Sequence, residues 1–248
     1  MTWSETFAWH DGRMVAADTE TTGVGADARI VTACVMLPGE QPQTWLLDPG
    51  IPIPDDAAKV HGVTTEKAQA DGMDYRAGLR QIADAIDLAT HGRALVGFNV
   101  SFDLTVLARE CERVGVGFTV PEWIVDPYVL DRAIDQYRKG SRQLAATAQV
   151  YGVDLVDAHT ADADARAAGR IAQVMARRAA EQRHGDPFGA LHGLTFEQLH
   201  AWQAAQHRKR QDSFRAYRQG RGESWEDIDS GWPLRELLPP VVREAVPS

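Results

Sequence analysis

Apolar residues fall into short, closely spaced runs over the first fifty positions and then spread to helical intervals. Segments 13–19, 29–37 and 44–48 read as three short strands separated by glycine- and proline-containing turns, and three strands in succession predict an antiparallel meander. From 74 to 90 the apolar positions Leu79, Ile82, Ala83 and Ile86 follow a helical period, with Asp74 placed to cap the start. A compact strand is expected over 94–98. Ser101 is placed to cap the following helix, whose inner face would carry Leu104, Leu107, Ala108 and Cys111 before a break at Gly115 and Gly117. A short strand at 123–125 and helices over 127–136, 143–151 and 160–184 complete the pattern. Strands first, then strands alternating with helices, predict an α/β fold with a mixed sheet flanked by helices.

The pattern breaks at 185–193, where Pro187 and Gly189 mark a linker to a further helix over 195–217. The chain therefore divides into a main domain, 1–184, and a helical extension, 185–248. Between 208 and 221 the extension carries Arg208, Lys209, Arg210, Arg215, Arg218 and Arg221 against one acid, Asp212. The sign then reverses through Glu223, Glu226, Asp227 and Asp229, and the tail holds Pro233, Pro239, Pro240 and Pro247. Leu199, Trp202, Gln206, Lys209 and Arg210 follow a helical stripe, which favours an amphipathic helix packed on the main domain. The interleaved Trp202, Phe214 and Tyr217 leave open a nucleic-acid track or a partner-docking face. No internal repeat is present.

At 248 residues with 44% hydrophobic content, the chain can bury one sizeable core with a modest appendage. No apolar run approaches the roughly 18 residues of a membrane span, and the N-terminus does not resemble a signal peptide, so a cytoplasmic protein without a membrane partner is expected. Cys34 and Cys111 stand far apart, with no spacing for zinc, and read as reduced core residues. The net charge of -9 argues against a protein that grips duplex nucleic acid through its phosphates. It is compatible with a site that concentrates carboxylates around metal ions and takes only a single-stranded end.

Candidate chemistry lies at element ends. In a strand, residues two apart share a face, so Asp18 and Glu20 present their carboxylates side by side after an apolar run. Such a pair repels unless a cation lies between, and hard divalent ions prefer oxygen ligands; the bland alternative is a solvated strand end. Asp103 follows the apolar strand and turn in the first turn of the next helix, where a carboxylate is also favourable for purely structural reasons. His159 and Asp164 flank the start of the long helix, the histidine in the loop and the aspartate about a turn farther on. Asp162 is expected to face solvent. Taken alone, His159 reads more readily as a capping or surface residue.

Together these segments resemble the DEDDh branch of the DEDD exonuclease superfamily over about residues 12 to 180. The matching motifs are DTETTG from Asp18 to Gly23, GFNVSFD from Gly97 to Asp103, and HTADAD from His159 to Asp164. Two secondary matches are Val60-His61-Gly62-Val63-Thr64 and the segment 139–152. The resemblance implies a ribonuclease H-like five-stranded mixed sheet flanked by helices, and a 3′-to-5′ exonuclease using two Mg2+ or Mn2+ ions. It assigns Asp18 to both ions, Glu20 and Asp164 to the ion that activates the nucleophile, Asp103 to the second ion, and His159 to general-base work. It further implies contacts to the terminal sugar from Thr21, Thr22 and Gly23, stacking or wedging by His61 and Phe102, and orientation of a phosphate or loop by Asn99. The expected partners are single-stranded DNA or RNA 3′ ends, DNA preferred, and a polymerase or other replication or repair protein. The expected products are nucleoside 5′-monophosphates. Two other classes remain: a catalytically inactive ribonuclease H-like scaffold, and a small-molecule phosphohydrolase. The extension has no counterpart in the minimal family domain.

Overall fold

In the computed structural model of the chain, residues 8–156 and 158–236 are described. The three early apolar runs form β1 (Met14–Thr21), β2 (Ile30–Met36) and β3 (Gln43–Leu46), paired antiparallel in sequence order as the meander pattern predicts. β4 (Ala94–Val96) and β5 (Ile124–Val125) join parallel on the other side of β1, giving the sheet order β3-β2-β1-β4-β5. β4 is shorter than its apolar run suggests. Its end is forced at Gly97, where a Cβ would lie 2.5 Å from Val100 Cγ2 and 3.1 Å from the Ala17 carbonyl, so only glycine lets the turn pass this close to β1.

Two short helices, α1 (Asp55–His61) and α2 (Thr65–Asp71), occupy a segment with no predicted helix. Each is seven residues long, and between them only Ala68 is buried, so there is too little apolar periodicity to reveal them. They are secured by a small cluster of Ile53, Val63 and Ala68 against Val31 of β2. Asp74 caps α3 (Tyr75–Thr90) as expected, accepting from the Ala77 amide at 2.9 Å. The start of α4 (Ser101–Arg113) corrects the expectation for Ser101. Val100 holds the cap position already in helical conformation, and Ser101 is a buried first-turn residue without a capping bond. The cause is Asn99, whose left-handed φ of 59° reverses the chain before the helix begins. Leu104, Leu107 and Cys111 line the inner face, whereas Ala108 is half-buried and Val106 is buried in its place.

Strand alternation sorts the two helical layers. Val15 and Ala17 face α3 and α4, with Ile30, Ala33 and Leu95 in the same core. Met14 and Ala16 face the other layer, built from α5 (Pro127–Ile134), α6 (Leu144–Val150) and α7 (Ala161–Glu181). α7 lies close on β1 because its inner face is Ala161, Ala165, Ala168 and Ala172. A Cβ at Gly169 would stand only 3.2 Å from that of Ala16. Cys34 and Cys111 are free and buried, and burial pushes both thiols up to about 12.

The segment after 185 shares this second core. Phe188 and Leu191, together with Phe196 and Leu199 from α8 (Phe196–Gly220), pack with Val96, Val125 and Ile171. Gln203 is fully buried; its amide oxygen accepts from the Asp126 N–H and its amide nitrogen donates to the Ile124 carbonyl, both at 2.8 Å. The acidic stretch beyond α8 folds back along it: Arg218 meets Asp227 at 2.6 Å and Arg215 donates to the Ile228 carbonyl. Among the described residues, no helix is long and apolar enough to cross a membrane.

Replacing Gln203 by Ala should cost about 2–4 kcal/mol, since it strands a buried backbone donor and acceptor at the end of β5. Chemical denaturation would measure it. A loss within about 0.5 kcal/mol, the range of neutral surface changes, would show that Gln203 does not anchor the extension.

Candidate active site

β1 runs beyond its parallel neighbour. Met14 to Ala16 pair with Ala94 to Val96, but from Ala17 onward only β2 lies beside it. The open side forms a crevice outside the carboxyl end of β4, at the switch between parallel and antiparallel neighbours, where ligand sites of α/β sheets tend to lie. Asp18 and Glu20 share the face of β1 that carries Met14 and Ala16, and α7 brings Asp164 against them. One carboxylate oxygen from each of the three lies within 4.8 Å of the others. Asp103 reaches the crevice from α4, on the opposite face. One of its oxygens accepts from the Thr19 hydroxyl at 2.6 Å and the Thr19 amide at 3.1 Å, and it stands outside the close trio while still acting on it by charge.

Burial raises the proton affinity of all four groups, and repulsion from the neighbouring carboxylates adds to it at Asp18 and Glu20. Asp18 is held well above the usual carboxylate range by burial and then by Asp103, Glu20 and Asp164. Glu20 is raised to about 8, chiefly by burial and then by Asp164 and Asp103. Burial lifts Asp103 to about 6, against the Thr19 hydrogen bonds and the nearby positive charge of Arg235. Asp164 is also raised by burial, with partial relief from the His159 amide. A crowd of carboxylates that resist ionisation is a hard-oxygen donor set, and divalent cations would relieve its repulsion.

The other expected residues gather around this cluster to different degrees. His159 lies in the loop before α7 with a left-handed φ of 72°; its amide donates to Asp164 at 3.3 Å, and its side chain is exposed. His61, at the end of α1, reaches the Thr21 end of β1. Burial lowers its pKa, offset in part by the Thr21 carbonyl, which favours the neutral ring. The Thr21 hydroxyl donates to the Gly23 carbonyl at 2.6 Å, and Thr22 Oγ1 accepts from the Arg29 amide at 3.0 Å, so both side chains build the turn. Gly23 has open space where a Cβ would stand. Phe102 is half-buried against the α3–α4 core and is covered by the Arg235 guanidinium, 5.1 Å from its ring centre. Asp162 is partly exposed and 3.8 Å from Arg166.

Three participants escaped the sequence reading. Asp126 is fully buried; its Oδ1 accepts from the Asn99 and Tyr128 amides, and burial raises it to about 7 against those bonds. It fixes the turn that aims α4 and its Asp103. The available signal was an apolar strand followed by Asp-Pro, a helix-start signature. Thr19 carried no signal, because its role depends on α4 crossing behind β1. Arg235 arrives from the far end of the chain, with its amide bonded to Thr105 Oγ1 at 2.9 Å.

A mixed sheet whose central strand ends in a cluster of proton-retaining carboxylates defines an α/β domain with a candidate site for divalent cations. The model of the RNase_T exonuclease family matches residues 15–172. The chain belongs to this exonuclease family. It is 29% identical over 174 residues to a PolC-type DNA polymerase III of Lacticaseibacillus paracasei, a match covering 67% of this chain and 11% of that protein. It is 28% identical over 109 residues to an uncharacterized exonuclease of Escherichia phage 186, covering 44% of this chain and 54% of that protein. Thus it spans about half of one curated relative and a small part of the other. Escherichia coli exonuclease I in complex with a dT13 oligonucleotide superposes with a TM-score of 0.56 at 19% identity, covering 68% of this chain and 42% of that one. A product-bound structure of exonuclease I has the same TM-score at 18% identity, over 72% of this chain and 45% of that one. The architecture is accordingly ribonuclease H-like.

The raised carboxylates predict a pH-dependent metal effect. Groups that bind protons more tightly folded than unfolded favour the fold at low pH. That contribution disappears as pH rises from about 4, the unfolded carboxylate value, through about 8 for Glu20. Metal-free protein should therefore melt at a lower temperature at pH 8 than at pH 5.5. Millimolar Mg2+ or Mn2+ should raise Tm more at pH 8, where fewer protons compete for the ligands. A metal-induced shift of equal size at both pH values would refute the cluster as the binding site.

Proposed function

We propose that the chain is a divalent-metal-dependent 3′-to-5′ exonuclease that removes nucleoside 5′-monophosphates from single-stranded ends, DNA in preference to RNA. The observation carrying this reading is the convergence of Asp18, Glu20 and Asp164 at the open end of β1, with Asp103 opposite. The four carboxylates would hold two Mg2+ or Mn2+ ions, and ions bound there would polarise the phosphodiester and make water acidic enough to serve as nucleophile at neutral pH. His159 takes the proton from that water; its exposed imidazole stands at the mouth of the crevice, tethered through its own amide to Asp164. The amides around Gly23 and the neutral ring of His61 receive the terminal nucleotide, while Thr21 and Thr22 shape the turn that presents those amides. Asn99 and Phe102 line the side on which the rest of the strand leaves.

Two relatives support DNA as substrate: one bears the name of a DNA polymerase, and exonuclease I has been captured with deoxyoligonucleotides. The polymerase relative also supports a replication or repair protein as partner. An inactive scaffold would have no need to retain four carboxylates at the energetic cost their raised proton affinities express.

The decisive experiment is digestion of matched 5′-labelled single-stranded DNA, single-stranded RNA and frayed duplex with Mg2+ or Mn2+. The expected result is a ladder shortened from the 3′ end, fastest on single-stranded DNA and abolished by EDTA. A shift of the oligonucleotide without shortening would identify a scaffold instead. Asp18→Asn and Asp164→Asn should each lower turnover by orders of magnitude with the fold intact. His159→Ala should lower kcat about 10²- to 10⁴-fold while retaining metal binding. If His159→Ala lost metal affinity as completely as Asp18→Asn, His159 would be a ligand rather than a base.

A further inference from the structure

Two neighbouring depressions outside the carboxylate crevice share Tyr128, His207 and Arg210 in their walls, and so form one continuous groove. The nearer part, about 680 Å3, begins at Asn99, Ser101 and Arg235, beside the turn that carries Asp103. The farther part, about 400 Å3, lies between α5 and α8 and is lined by Arg132, Arg142, Lys209 and Arg210.

The fold sorts the basic residues of this region into two sets. Arg215 pairs with Asp212, Arg218 with Asp227 and Arg221 with Glu223, and on α5 Asp131 is already held by Arg138 and Arg142. Arg132, Lys209 and Arg210 meet no carboxylate among the described residues. Arg132 lies over the Tyr128 ring at 4.7 Å with a buried Nε that has no hydrogen-bond partner, and Arg210 makes only a 3.4 Å contact to Gln211. Burial, together with the charges of Arg132 and Arg142, destabilises the protonated form of Arg210. On the facing wall of the nearer part Asp227 is paired with Arg218, while Glu226 and Asp229 accept from neutral donors, the Ser224 hydroxyl and the Trp225, Gly231 and Glu236 amides, so the excess of cations lies in the farther part, whose lining holds no acid. Uncompensated cations crowded along a groove beside an aromatic ring await a chain of anions that also offers flat faces.

We propose that this groove, from Arg235 past Tyr128 and Arg210 to Arg132 and Lys209, binds the phosphodiester backbone of the single strand on the 5′ side of the nucleotide being removed. The proposal rests on the exonuclease reading and adds to it a length requirement. With the 3′-terminal nucleotide in the crevice, a strand that leaves past Asn99 meets these cations along its course. The groove therefore contributes affinity for oligonucleotides and none for a dinucleotide. Arg208 belongs to the same basic run but is exposed and lines neither depression, so it serves as a charge-matched control.

Steady-state kinetics on the full chain would compare dT2 and dT12 for the wild type, Arg132→Gln/Arg210→Gln, Lys209→Glu and Arg208→Glu, with melting curves to confirm folding. Lys209 is exposed, so its variant should fold even if the double variant does not. The expected result is a KM for dT12 raised about tenfold or more in the groove variants with kcat unchanged, and kcat/KM for dT2 within about twofold of wild type. The logarithmic salt dependence of dT12 binding should flatten by about 0.7 for each cation removed. Arg208→Glu should match wild type. Equal KM values for dT12 across all proteins, equal losses on dT2 and dT12, or an Arg208→Glu effect as large as that of Lys209→Glu would each overturn the groove. Fluorescence anisotropy of labelled dT12 in EDTA separates this idea from the catalytic one. Wild-type protein that binds dT12 through these residues in EDTA but shortens nothing once Mg2+ or Mn2+ is added refutes the exonuclease reading alone, whereas metal-dependent cleavage with unaltered binding in the groove variants refutes the groove alone.

Discussion

Four carboxylates forced into one crevice repel each other, and much of the molecule is arranged to keep them there. Left alone, such a group would splay apart or expand toward water. Splaying is opposed on one side by the antiparallel pairing of β1 with β2, which fixes the backbone through Asp18 and Glu20. On the other side, the alanine face of α7 lets the helix lie close enough to β1 to deliver Asp164, and bulkier residues there would lift it away. Asp103 is fixed by Thr19, a residue of β1 pointing to the opposite face, so one short strand positions carboxylates from both layers. The raised proton affinities reflect the burial and repulsion this arrangement imposes, and divalent cations held between the carboxylates would offset it.

The extension acts as part of the same construction. Its first half completes the core against β4, β5 and α7, and Gln203 joins it to the strand end from which Asp126 holds the Asn99 turn. A connection therefore runs from α8 through Asp126 to the turn preceding Asp103, using buried hydrogen bonds with little freedom to rearrange. The acidic stretch beyond α8 pairs with its basic neighbours and returns the chain to Thr105 and Phe102, where Arg235 faces Asp103. This return takes up Arg218 and Arg221, Asp212 of α8 itself takes up Arg215, and the cations that meet no carboxylate face the groove.

Local periodicity determined most elements of the fold: the three-strand meander, α3 with its Asp74 cap, and the parallel strands each followed by a helix. The order and spacing of the three acidic motifs determined the family, and the alternation within β1 placed Asp18 and Glu20 on one face. All of these depend on residues close together in the chain, whose geometry the backbone itself dictates. Tertiary structure alone decided which distant groups meet: Thr19 with Asp103, Asp126 with Asn99 and Gln203, and Arg235 with Phe102. It made Ser101 a buried helical residue rather than a cap, and it ordered α1 and α2, whose short polar sequences carry too little periodicity. It also divided a uniform-looking basic run into paired and unpaired cations. Charge, burial and hydrogen-bond partnership are properties of neighbours in space, and a residue such as Arg210 acquires its character only when α5 is laid beside α8.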